Sequence, residues 1–135
     1  MEALAASPTS VRFERMVPAT PEAVGPLRRG LRRFAREQGA APAAQAAIAL
    51  AFSEACADVI QHAYAGRRAA GPLILQARVR NRRLVMRVTD AGSTRRALDA
   101  GLGRQLIAES AERLSVRPRH GAAGTVRTMV FALDG

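Results

Sequence analysis

From Val11 to Val17 the chain alternates, with Val11, Phe13, Arg15 and Val17 set against Arg12, Glu14 and Met16, which predicts a first strand after a loose tail over residues 1–9. A helix should follow Pro18, with Thr20 as N-cap, Pro21 at the first helical position and Glu22 in the first turn. Val24, Leu27, Leu31 and Phe34 recur at helical spacing, Arg28, Arg29, Arg32, Arg33 and Arg36 cover the other side, and Gly39 ends the run. A second helix is predicted from Pro42 to Ala65, stopped by Gly66. Its core stripe is Ile48, Phe52, Ala55 and Val59; Glu54 and Asp58 lie on the flank of that stripe beside the small residues Ala47 and Ala51.

Two alternating runs come next, Leu73 to Arg80 and Leu84 to Asp90, joined at Asn81-Arg82-Arg83 as a hairpin. A loop from Ala91 to Asp99 leads to a helix from Gly101 to Glu112, and short strands close the chain near Leu114 to Arg117 and Thr125 to Leu133. The order β-α-α-β-β-α-β-β predicts an α+β two-layer sandwich over residues 10–135: one mostly antiparallel mixed sheet, three helices on one face, and an opposite face that is Arg-rich or meets a partner.

Composition limits the classes. The chain has 135 residues, enough for one domain, and 48% are apolar. Of these, 29 are Ala, so the larger side chains suffice for a two-layer core and little more. The mixture excludes wholesale disorder, a collagen-like fibre and a disulfide scaffold. Cys56 is the single cysteine and no basic-then-apolar leader precedes it, so a reduced cytoplasmic protein is expected. The apolar stretch Ala40 to Phe52, interrupted by Pro42 and Gln45, falls short of a membrane span. All 21 cations are Arg, and the net charge of +10 suits anionic partners, although many of these Arg are expected simply to be solvated.

Three separated segments share the requirements of a magnesium nucleotide. Glu54 and Asp58, one helical turn apart, offer an oxygen for a hard cation and another to accept a proton. Asp90-Ala91-Gly92 places an acceptor carboxylate and a bare backbone at a strand end. Gly101-Leu102-Gly103 opens a helix whose free N–H groups and dipole favour phosphate.

In their order and on these elements, the segments resemble the GHKL (histidine-kinase-like) ATPase superfamily, and within it the anti-sigma factor serine kinases of bacteria, from about Val11 to Leu133. Leu50 to Tyr64, ending in His62-Ala63-Tyr64, is similar to the family's N-box helix. Val88-Thr89-Asp90-Ala91-Gly92 is similar to its adenine-binding box, Gly101 to Ile107 to its phosphate-binding box, and Gly124-Thr125 to its terminal Gly-Thr. The resemblance implies an ATP-binding fold with Glu54 as general base. It implies Asp90 as acceptor for the adenine amino group, with Gly92 and Thr125 beside the ring. Gly101, Leu102, Gly103 and Arg104 would face the phosphates, and Asp58 would hold Mg2+. It further implies phosphorylation of a STAS-type anti-anti-sigma protein, sequestration of a sigma factor, and a homodimer.

The chain departs from the pattern at two places. Asp58 stands where the family has Asn, and Thr94 replaces a second glycine after Gly92, within a short lid carrying Arg95 and Arg96. These departures support an alternative, a catalytically weak or inactive module that regulates a partner by docking alone. Direct nucleic-acid binding through Arg78, Arg80, Arg82, Arg83 and Arg87 ranks third, because one Tyr, four Phe and no Trp leave few stacking platforms. His62 is read as a favourable helix-end residue, Tyr64 as a packing residue with a wet hydroxyl, and Cys56 as a core filler with no cation beside it.

Overall fold

A computed structural model describes residues 11–92 and 102–134. The expected tail over residues 1–9 and the lid carrying Thr94, Arg95 and Arg96 lie outside the described residues, as does Gly101. The elements are β1 (Arg12–Pro18), α1 (Pro21–Glu37), α2 (Pro42–Asp58), β2 (Pro72–Arg80), β3 (Arg83–Asp90), α3 (Leu102–Ser110), β4 (Arg113–Pro118) and β5 (Thr125–Ala132). The strands form one five-stranded sheet in the order β1-β2-β3-β5-β4, and all four pairings are antiparallel.

Local chemistry explains the boundaries. The Thr20 hydroxyl accepts from Ala23 N at 3.3 Å, capping one orphan donor of α1, and Pro21 takes the first helical position, where its missing N–H costs nothing. Leu31 and Ala35 are fully buried on the inner face, and Phe34 stacks on Phe13 of β1 with ring centroids 5.7 Å apart. The β2–β3 hairpin is tighter than expected. Arg80 pairs with Arg83, leaving a two-residue turn in which Asn81 and Arg82 both have positive φ, of 53° and 59°. That turn twists with the strands but strains Arg82, which Asp134 holds by an ion pair.

The second helix does not continue as an α-helix to Ala65. It is α-helical only to Asp58 and then widens into a π-helical turn over Val59–Ala63. Pro42–Ala63 spans 22 residues at a mean hydropathy of 1.4, long and apolar enough by length and composition to cross a membrane, which the shorter stretch read from the sequence was not. Core packing accounts for that apolarity here. Ile48, Phe52 and Val59 are fully buried, each contributing about 1.5–3 kcal/mol relative to exposure.

Strand parity separates the two faces of the sheet. On the helix-covered face Leu73, Leu75, Leu84, Met86, Val88 and Met129 are fully buried. Asp90, Thr125 and Arg127 occupy that same face at its β3–β5 end. The opposite face carries Arg12, Arg78, Arg87, Arg113 and Arg117, all exposed.

Candidate functional site

Register puts Asp90, the last residue of β3, directly opposite Thr125, the first of β5. Alternation then aims Arg127, two residues on, to the same side. Asp90 is fully buried, and its carboxylate is held from two directions: Oδ1 accepts from Gly92 N at 2.8 Å and Oδ2 accepts from Arg127 Nη1 at 2.8 Å. The same guanidinium reaches across to α2, where Asp58 Oδ2 accepts from Arg127 Nη2 at 2.7 Å and Nε at 3.1 Å. One arginine, with a side chain only 3% exposed, thereby bridges two carboxylates 32 positions apart in sequence. Burying any of the three charges alone would be prohibitive; together they carry a net single negative charge, and the planar fork satisfies both acids.

Two buried oxygens at this site have no hydrogen-bond partner among the described residues, Asp58 Oδ1 and Thr125 Oγ1. A buried unsatisfied hydroxyl costs about 1–3 kcal/mol, so Thr125 is poised for a ligand group or water. His62 Nε2 stands 4.0 Å from Asp58 Oδ1, on the rim.

Close backbone approach explains two of the glycines. A Cβ on Gly92 would lie 2.0 Å from the Ala63 carbonyl oxygen, and one on Gly124, at φ 122°, would lie 1.9 Å from the Asp90 carbonyl oxygen. The end of the helical run, the β3 end and the β5 start are thus pressed together by backbone. Tyr64 ties the same junction. It is buried rather than wet, its hydroxyl donating to Pro72 O at 2.5 Å and accepting from Ala91 N at 2.7 Å. Burial raises its pKa, partly offset by the Ala91 N–H bond.

Glu54, one turn before Asp58, is half-buried and makes no hydrogen bond or ion pair among the described residues. Beside it, Ser53 accepts from Arg28 Nη1 at 3.2 Å, tying α1 to α2. Cys56 is buried and its thiol is pushed up from 9.0 to about 12, chiefly by burial, with Arg127 and Arg28 acting the other way. It is inert as expected, although cations do stand near it.

The structure therefore gathers Asp58, Asp90, Gly92 and Thr125 at one place. Leu102, Gly103 and Arg104 form the first turn of α3, which packs against α2, but the side chains of Leu102 and Arg104 lie outside the described residues. Arg127 was not among the residues singled out from sequence. Its signal was available: Thr125, Arg127, Met129 and Phe131 share one strand face, so a charge falls at a core position.

The donor set fits a purine but not a divalent ion. Asp90 presents a rigidly oriented acceptor with spare lone pairs beside the unpartnered Thr125 hydroxyl, a combination suited to a ring carrying an amino group and ring acceptors. Asp58, expected to hold Mg2+, has one oxygen spent on a guanidinium whose fixed positive charge repels a second cation.

Residues 17–131 match the model of the histidine kinase-like ATPase domain. Comparison with curated proteins returns no significant match. Among solved structures, the chain is similar to the RsbU and RsbW domains of Rv1364c from Mycobacterium tuberculosis, at 24% identity and a TM-score of 0.73 over 91% of this chain and 32% of that one. It is also similar to the histidine kinase domain of the blue-light activated histidine kinase EL346 from Erythrobacter litoralis, at 17% identity and a TM-score of 0.56 over 95% of this chain and 65% of that one. In both cases the chain spans less than two thirds of its neighbour's length.

Proposed function

The chain belongs to the histidine kinase-like ATPase domain family, and from that premise we propose that it is an ATP-dependent serine kinase of the anti-sigma type. It would phosphorylate a STAS-type antagonist and, when the antagonist is modified, sequester a sigma factor in the cytoplasm. The observation that carries this reading is the convergence of the acidic flank of α2 and the end of β3 on one guanidinium. Helix and strand together then frame a single nucleotide.

In this reading Asp90 accepts from the adenine amino group and Thr125 bonds the ring edge. The N-terminal turn of α3 supplies N–H groups to the phosphates. Glu54 takes the proton from a serine hydroxyl while the serine oxygen forms its bond to the γ-phosphorus. The bond from that phosphorus to the β–γ bridging oxygen breaks, and ADP leaves with the electron pair. Phosphoryl transfer asks for little beyond alignment and charge neutralisation, so a carboxylate without competing partners is sufficient as the base. The phosphate adds roughly two negative charges to the antagonist, enough to eject it from an interface.

The open sheet face supports an acidic partner better than self-association there. A homodimer built through it would bring two faces carrying Arg12, Arg78 and Arg87 together, with like charges opposed.

Incubation with labelled ATP and the antagonist is expected to transfer phosphate, and Glu54→Ala to lower the rate by about 100-fold or more. Unchanged transfer in that variant overturns the role given to Glu54. A second reading, a nucleotide-sensing docking module, is favoured by the engagement of Asp58 with Arg127; ATP binding with no transfer to any antagonist would select it.

A further inference from the structure

We infer that Arg127 is the resident cation of the nucleotide site, a positioning residue that takes the place of a divalent ion against Asp58 and makes ATP binding independent of magnesium. The inference rests on the ATP-binding reading above and concerns which charge completes that site.

Three observations carry it. Asp58 and Asp90 share one guanidinium, so the acid on α2 is partly compensated before any nucleotide arrives. Arg127 is as buried as the acids it serves, with side-chain exposures of 3% for Arg127, 12% for Asp58 and 0% for Asp90. It therefore remains screened from water and strongly coupled to both. Finally, three of the five N–H donors of Arg127 are spent on those carboxylates, which fixes the plane of Asp90 as an adenine acceptor through Oδ2, while Gly92 N fixes Oδ1. An acid beside a triphosphate would repel it; an acid already paired with arginine repels it less, even where that arginine is shared with a second carboxylate.

Calorimetry with the full chain, titrating ATP in EDTA and then in excess MgCl2, tests the assignment. The wild-type dissociation constant is expected to differ by no more than about twofold between the two conditions. In Arg127→Gln, which keeps a hydrogen-bonding side chain but loses the charge, metal-free binding is expected to weaken by about tenfold or more and magnesium to restore most of it. Adding Asp58→Asn to Arg127→Gln removes the uncompensated acid on α2, leaving only Asp90 unpaired, and metal-free affinity should return to within about threefold of wild type.

A merely structural role for Arg127 predicts instead that Arg127→Gln weakens binding equally with and without magnesium, and that result overturns the inference. So does wild-type binding that magnesium tightens by about tenfold or more. If Arg127→Gln fails to fold by near-ultraviolet dichroism, the comparison is decided by the wild type together with Asp58→Asn, which retains the Arg127–Asp90 pair and must also bind without magnesium. Wild type that binds no ATP under either condition overturns the ATP reading itself, an outcome distinct from binding that proves magnesium-dependent.

Discussion

On the helix-covered face of the sheet, Arg127 is nearly inaccessible and donates to Asp58 and Asp90. On the open face, Arg12, Arg78 and Arg87 line a hollow of about 210 Å³ together with Glu14. Arg12 and Glu14 approach only to 3.9 Å, with half of each side chain in water. The residue type is the same and all four stand in strands of one sheet, but strand parity turns them to opposite faces and the consequences are opposite. An exposed guanidinium is hydrated and nearly indifferent to its neighbours, whereas the buried one needs every partner it has. A basic composition thus says little about function here, while one arginine at a core position says a great deal.

The sharpest break of that comparison is Arg127→Leu set beside Arg87→Leu. Removing Arg127 strands two buried carboxylates and is expected to destabilise the fold by about 3–5 kcal/mol, against a change within about 0.5 kcal/mol at Arg87. Urea denaturation of the two variants measures the contrast, and equal effects would dissolve it.

A smaller effect is expected at the junction that holds the buried face closed. Tyr64→Phe deletes the acceptor for Ala91 N and the donor to Pro72 O, both in a part-buried setting, and should cost about 1–2 kcal/mol by the same denaturation experiment.

A last effect is confined to alkaline pH and is absent at neutrality. Cys56 holds its proton more tightly folded than unfolded, its thiol raised from 9.0 to about 12. Its contribution is therefore fully present below about pH 9 and is lost as pH rises toward 12, with a slope of up to about 1.4 kcal/mol per pH unit. Alkaline denaturation should be steeper in wild type than in Cys56→Ala, which keeps only the slope due to Tyr64, whatever that variant loses in packing at neutral pH.

Much of the fold could be read before any coordinates, because amphipathic periods and caps act locally. The Thr20-Pro21-Glu22 helix start, the apolar stripes of both long helices and the hairpin before Asp90 needed only neighbours a few residues away. The widened turn over Val59–Ala63 was not legible, since its apolar pattern is compatible with an ordinary α-helix and the turn's form emerges only where the helix end meets Gly92. The Tyr64 hydroxyl was misjudged for a similar reason: its partners lie 8 and 27 positions away. At the site, the acids on α2 and β3 were visible as residue types, but their shared partner was not. That pairing depends on the parity of β5 and on its lying between β3 and β4, facts of tertiary register rather than local pattern.

An amide and side-chain NMR titration of the labelled protein with ATP would locate the nucleotide, placed here where Asp58 and Asp90 meet on Arg127. The predicted result is a set of shifts centred on Ala91, Gly92 and Thr125 together with the Arg127 Nε–H resonance. Shifts confined to the open-face hollow around Arg12, Arg78 and Arg87, with Arg127 unmoved, would contradict it.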